Sequence, residues 1–175
     1  LRWLLREPIG IDTAKLARMR SEMERRDQAF GVGVGFPGFQ KWEGMVEGSI
    51  QTLTYAFADH PEILDEWHEL DLAHGTRLVE LYLKEKPDYL NLGGSGTLTL
   101  ASPELARRYA LPAIRLWTKM AKDAGIPTVL HSCGRSRELV RMLAEETDLS
   151  CINPLEVAPM GDVDLLVREA DVPDA

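Results

Sequence analysis

Apolar positions along the chain change period several times, and each change marks an element. Between Asp12 and Gln28, Ala14, Leu16, Ala17 and Met19 recur at helical spacing among many charges, which predicts a surface helix capped near Asp12 or Thr13. Ala29 to Phe36 alternates glycine with bulky residues, so a strand with one nearly bare face is expected, ended by Pro37-Gly38. Its Gly-x-Gly-x-Gly spacing is not a nucleotide loop, because the glycines lie inside the strand and not in a strand-to-helix turn. A helix is predicted from Trp42 to about Ala58. A second, long one starts at Asp59-His60-Pro61-Glu62 and runs to about Lys84 with a broad stripe through Leu64, Trp67, Leu70, Leu78 and Val79. His68 and His74 stand six apart, share no helical face, and read as surface or packing residues.

The second half continues the alternation. Pro87 to Leu92 predicts a strand closed by Gly93-Gly94-Ser95-Gly96, a loop able to turn tightly and offer amide donors to an anion or carbonyl. Ser102-Pro103-Glu104 opens a helical stretch that Pro112 must kink or divide before Gly125 ends it. Thr128 to Cys133 predicts a third strand, Ser136 to about Glu146 a helix, and Leu149 to Ile152 a fourth strand ending at Asn153-Pro154-Leu155-Glu156. Strands and helices in alternation predict an α/β chain of parallel β/α units in a single domain. Such units bind ligands at the carboxyl ends of their strands, where the loops at Gly93–Gly96, His131–Gly134 and Asn153–Glu156 are expected to converge.

Candidate chemistry concentrates in one of those loops. His131 and Cys133 follow a short apolar strand, and side chains two apart in a strand point the same way. An imidazole and a thiolate delivered together suit a soft divalent metal such as zinc, although the pair makes only half of a usual four-ligand site. Gly94, Ser95, Asn153 and Glu156 are candidate substrate-binding residues on the neighbouring loops, with Glu156 also placed to orient His131. Cys151, flanked by apolar residues in the fourth strand, is expected to be buried and structural.

Composition narrows the partners. The 175 residues carry a formal net charge of −8, which opposes a nucleic-acid or anionic-membrane partner as the main role. With 45% hydrophobic and 27% charged residues, the chain has the makings of a globular core, and no run approaches a membrane span. Two cysteines are too few for a disulfide framework, so a cytoplasmic location with both thiols reduced is expected. The chain begins with Leu and not Met, which suggests a piece of something longer.

Leu100-Ala101-Ser102-Pro103-Glu104, Ala110-Leu111-Pro112, the run from Ala121 through His131-Ser132-Cys133-Gly134, Ile152-Asn153-Pro154-Leu155-Glu156 and Met160-Gly161-Asp162 together resemble the uroporphyrinogen decarboxylase superfamily. The similarity is clearest from about Pro87 to Glu169 and extends back toward Phe30. The resemblance implies a (β/α)8 TIM barrel of which this chain would hold only a central-to-C-terminal part, inactive by itself. It also implies one of two chemistries. The closer branch, corrinoid-dependent methyltransferases, binds zinc through His-x-Cys and a later cysteine, which maps onto His131 and Cys133, with the third ligand beyond Ala175 or, less readily, at Cys151. Its partners would be a small-molecule thiol and a methylated corrinoid or corrinoid protein. The other branch decarboxylates a tetrapyrrole without a cofactor, but its early aspartate and arginine motifs are not visible here. A non-catalytic barrel that binds a corrinoid or tetrapyrrole is the third possibility.

Overall fold

The computed structural model describes residues 9–93 and 101–164. Helix α1 (Thr13–Arg25) is followed by strand β1 (Gly31–Gly35), helices α2 (Phe39–Glu43), α3 (Ser49–Asp59) and α4 (Pro61–Lys84), and strand β2 (Tyr89–Gly93). A short turn of helix α5 (Pro103–Leu105) then runs through a π-helical turn (Ala106–Ala110) into α6 (Leu111–Asp123). Strand β3 (Thr128–His131), helix α7 (Arg137–Glu146) and strand β4 (Cys151–Asn153) complete the order. The four strands form one parallel sheet in the order β1-β2-β3-β4. No helix among the described residues is long and apolar enough to cross a membrane.

Period-two alternation divides the sheet into two unlike faces. Val32, Leu90, Leu92 and Leu130 are buried on one face, in a single cluster with Val79 of α4, Ile114, Trp117 and Ala121 of α6, and Leu139 and Leu143 of α7. Leu16 and Met23 of α1 pack against the same cluster. All four helices therefore cover the same side, and Gly75 lets α4 approach so closely that a Cβ there would strike the Trp117 ring. The other face, with Gly33, Asn91, His131 and Asn153 along successive strands, is not covered by these helices.

Several element ends differ from the sequence-based expectation for local reasons. The helix expected over Trp42 to Ala58 is two, because the chain turns through Gly44–Gly48 and Gly48 adopts a left-handed φ of 81° that no helix continues through. The irregularity expected at Pro112 is met by the π-helical turn just before it, where the ladder is already relaxed and a missing amide disrupts less. Asp12 caps α1 as expected, its Oδ1 accepting from Lys15 N at 2.8 Å. Cys151 is exposed and not buried: its ladder partner is Val129, so it lies on the uncovered face, and β4 is an edge strand among the described residues.

A second apolar cluster sits beside the sheet. Trp42, Trp67 and Tyr109 pack there, with Trp42 and Trp67 stacked at 4.8 Å between centroids. Gly38 brings the β1–α2 connection against the backbone of Tyr109, and the Tyr109 hydroxyl donates to Asp65 Oδ1 at 3.0 Å. Burial and that hydrogen bond push the Tyr109 phenol up to about 12. His68 lies edge-on to both Trp42 and Tyr109, the packing role expected of it.

Burial holds the His68 imidazole below its ordinary 6.5, against the opposing pull of Asp71, Asp65 and Glu69. A depressed pKa in the folded chain means that the unfolded chain takes up this proton first as pH falls. The stabilisation is therefore complete above pH 6.5 and is lost on acidification through the lower, folded value. Urea midpoints measured on either side of that pH should fall on the acid side for the wild type. His68→Phe should flatten that fall, and an unchanged acid slope in the variant would refute the assignment.

Candidate functional site

The site is built where the uncovered face reaches the carboxyl ends of its strands. The ladder sets Gly93, His131 and Asn153 side by side on β2, β3 and β4. Gly93 contributes no side chain to this row, and the Asn153 carboxamide flanks the His131 ring from β4. His131 Nδ1 lies 3.1 Å from Asn153 Oδ1. With the carboxamide oxygen accepting, Nδ1–H donates and Nε2 keeps its lone pair. The surrounding concavity, about 400 Å³, is lined by Phe36, Tyr89, Asn91 and Val129 together with His131 and Asn153. The bare face of β1 makes room for part of this lining, since a Cβ at Gly31 would strike the Tyr89 ring.

Strand β3 ends at His131, two residues earlier than expected, but its alternation persists. Ser132 N still donates to Asn153 O at 2.7 Å, Ser132 is fully buried, and Cys133 returns to an intermediate exposure like that of His131. Gly134 then turns the chain with a φ of 83°. Glu156, expected beside His131, instead accepts a hydrogen bond from the Gly134 amide. It reaches the site through the backbone next to Cys133 and leaves the imidazole to Asn153. Gly94 and Ser95 lie outside the described residues.

The residue that sequence reasoning missed is Asp162. Its Oδ1 accepts from Ser136 N at 2.7 Å and from Arg137 N at 3.0 Å, capping α7 from 25 and 26 residues away. Ser136, where the helix was expected to begin, turns its hydroxyl back to the Ser132 and Gly134 carbonyls at 3.1 and 3.2 Å. One signal was available: Gly161 precedes Asp162, and a Cβ there would strike the Glu156 carbonyl, so the loop after β4 can fold back tightly only with glycine.

Compared with known proteins, the chain matches no family model, no curated protein and no solved structure. His131 and Cys133 supply one nitrogen and one sulfur donor, both suited to zinc, and the Nδ1 contact to Asn153 is the kind of outer contact that leaves the other ring nitrogen available to a metal. No group of three or more His, Cys, Asp or Glu able to hold a metal occurs among the described residues. Cys151 shares the uncovered face but pairs with Val129, two residues before the His131–Asn153 row, and does not complete a set among the described residues.

Gly93 controls this row by its lack of a side chain. Its φ is 79°, and a Cβ there would lie 2.7 Å from Leu130 Cδ1 and 2.8 Å from the His131 carbonyl oxygen. Gly93→Ala should therefore destabilise the chain by about 1–3 kcal/mol and shift the His131 backbone resonances. A chemical-denaturation midpoint and a His131 amide signal both unchanged from wild type would contradict this reading.

Proposed function

We propose that the chain is part of a uroporphyrinogen decarboxylase superfamily barrel and serves zinc-dependent transfer of a methyl group from a methylated corrinoid to a small thiol. The observation that carries this reading is the pairing of His131, on the uncovered face at the carboxyl end of β3, with Cys133 in the same alternation beyond it. Sequential parallel strands with every packed helix on one side are what a segment of a (β/α)8 barrel has, with the uncovered face as the barrel interior. A doubly wound sheet would instead place helices on both faces.

On this reading each residue has a stated task. His131 offers Nε2 and Cys133 its thiolate, while Asn153 keeps the imidazole oriented through Nδ1. What zinc supplies when bound is a lowered pKa for the acceptor thiol, so that the thiol is held as a nucleophilic thiolate at neutral pH. Two donors call for a third, which falls to a residue outside those described. The concavity, with Tyr89, Asn91 and Phe36 on its walls, receives the acceptor.

The full-length protein, prepared without chelators, should contain stoichiometric zinc and methylate a thiol from methylcobalamin. His131→Ala and Cys133→Ser should each lose the metal and at least about 100-fold of the methyl transfer, the upper end of what a lost ligand-orienting contact costs. A metal-free wild type whose thiol methylation is untouched by His131→Ala would sink the proposal, and conversion of uroporphyrinogen to coproporphyrinogen would assign decarboxylation in its place.

A further inference from the structure

One segment of the chain holds the whole His131–Arg137 stretch by accepting its hydrogen bonds. Asn153 Oδ1 faces His131 Nδ1 at 3.1 Å, and the Asn153 carbonyl accepts from Ser132 N at 2.7 Å. Glu156 accepts from Gly134 N, and Asp162 accepts from both Ser136 N and Arg137 N. In these five contacts the acceptors lie on 153–162 and the donors on 131–137. Two of the acceptors are carboxylates, whose bonds to amides are stronger than neutral ones, and Asp162 sits where the first turn of α7 concentrates positive potential.

The arrangement has two consequences. The amides at the start of α7, which in other loops greet a substrate phosphate or carboxylate, are here satisfied by the protein's own carboxylates. Their work is to hold the loop that carries Cys133. We infer that Asn153, Glu156 and Asp162 are positioning residues for the His131–Cys133 pair, Asn153 setting the ring tautomer and the two carboxylates fixing the backbone around Cys133. The part concerning metal rests on the function proposed above. The grip on the backbone does not.

The loop can be tested without metal. In the metal-free 175-residue chain, amide hydrogen exchange followed by NMR should speed up at Gly134 in Glu156→Ala and at Ser136 and Arg137 in Asp162→Ala. The expected change is about tenfold or more, the scale of one charge-assisted hydrogen bond. Thr147 N, bonded to the Leu143 carbonyl at the far end of α7, serves as the internal control and should hold its rate. Asp162→Asn keeps one acceptor oxygen and should show intermediate protection, which separates loss of the contact from loss of the fold. Unchanged exchange at all three amides overturns the grip.

A titration of the full-length protein with cobalt(II) alone, read by thiolate-to-cobalt absorption, tests Asn153. Asn153→Leu should weaken cobalt binding by about 10- to 100-fold, and Asn153→Asp, which keeps an acceptor facing Nδ1, should recover it. Equal affinity in wild type and Asn153→Leu overturns the role of Asn153. A wild type that takes up no cobalt sinks the metal reading together with that role, while the exchange experiment still decides the grip on its own.

Discussion

Leu130 and His131 are neighbours in the chain and face opposite sides of the sheet, and most of the structure follows from that opposition. In a parallel ladder, residues in register share a face, so Leu130 joins Leu90, Leu92 and Val32 under α1, α4, α6 and α7. His131 joins Gly93 and Asn153 on the face those helices leave uncovered. Slipping β3 by one residue would put the imidazole into an apolar core and Leu130 into the concavity. The burial of Leu130, at 0% exposure, thus fixes where the site chemistry stands.

Away from the sheet, the aromatic cluster ties together segments that the ladder does not reach. Gly38 against the Tyr109 backbone joins the β1–α2 connection to the π-helical turn that leads into α6. Asp71, 6% exposed, is paired with Lys41 and accepts from Trp42 Nε1 at 3.3 Å, which satisfies a carboxylate that would be costly to bury alone. Arg108 holds Asp65 through two hydrogen bonds of 2.9 and 2.6 Å while Tyr109 donates to the same carboxylate. These exposed pairs orient the turn more than they stabilise it, since surface ion pairs contribute about 0–1 kcal/mol each.

How much of this was legible in the sequence depended on the range of the interaction responsible. Period two in Gly31–Gly35 and in Thr128–His131 is local, and it predicted the strands and their unlike faces. Asp12 and Ser102 act within three residues, and both caps could be read directly. The break at Gly44–Gly48 was less visible, because Trp42, Ile50 and Leu53 keep a helical spacing across it while a left-handed φ at Gly48 ends the helix. Contacts across 22 to 26 residues were beyond local pattern: that Asn153 and not Glu156 meets His131, that Glu156 holds Gly134, and that Asp162 caps α7. Cys151 was misjudged for a related reason. Its apolar neighbours suggested burial, whereas exposure was decided by ladder register and by an edge position.

On the proposed function, His131 and Cys133 act together, with His131 presenting Nε2 while Asn153 occupies Nδ1. Cadmium-113 NMR of the cadmium-loaded chain tests it most directly, since spin coupling identifies the atoms bonded to the metal. Couplings to the Cys133 β-protons and to Nε2 of His131 are expected. Coupling through Nδ1 of His131, or a metal bound at Cys151 without Cys133, would contradict it.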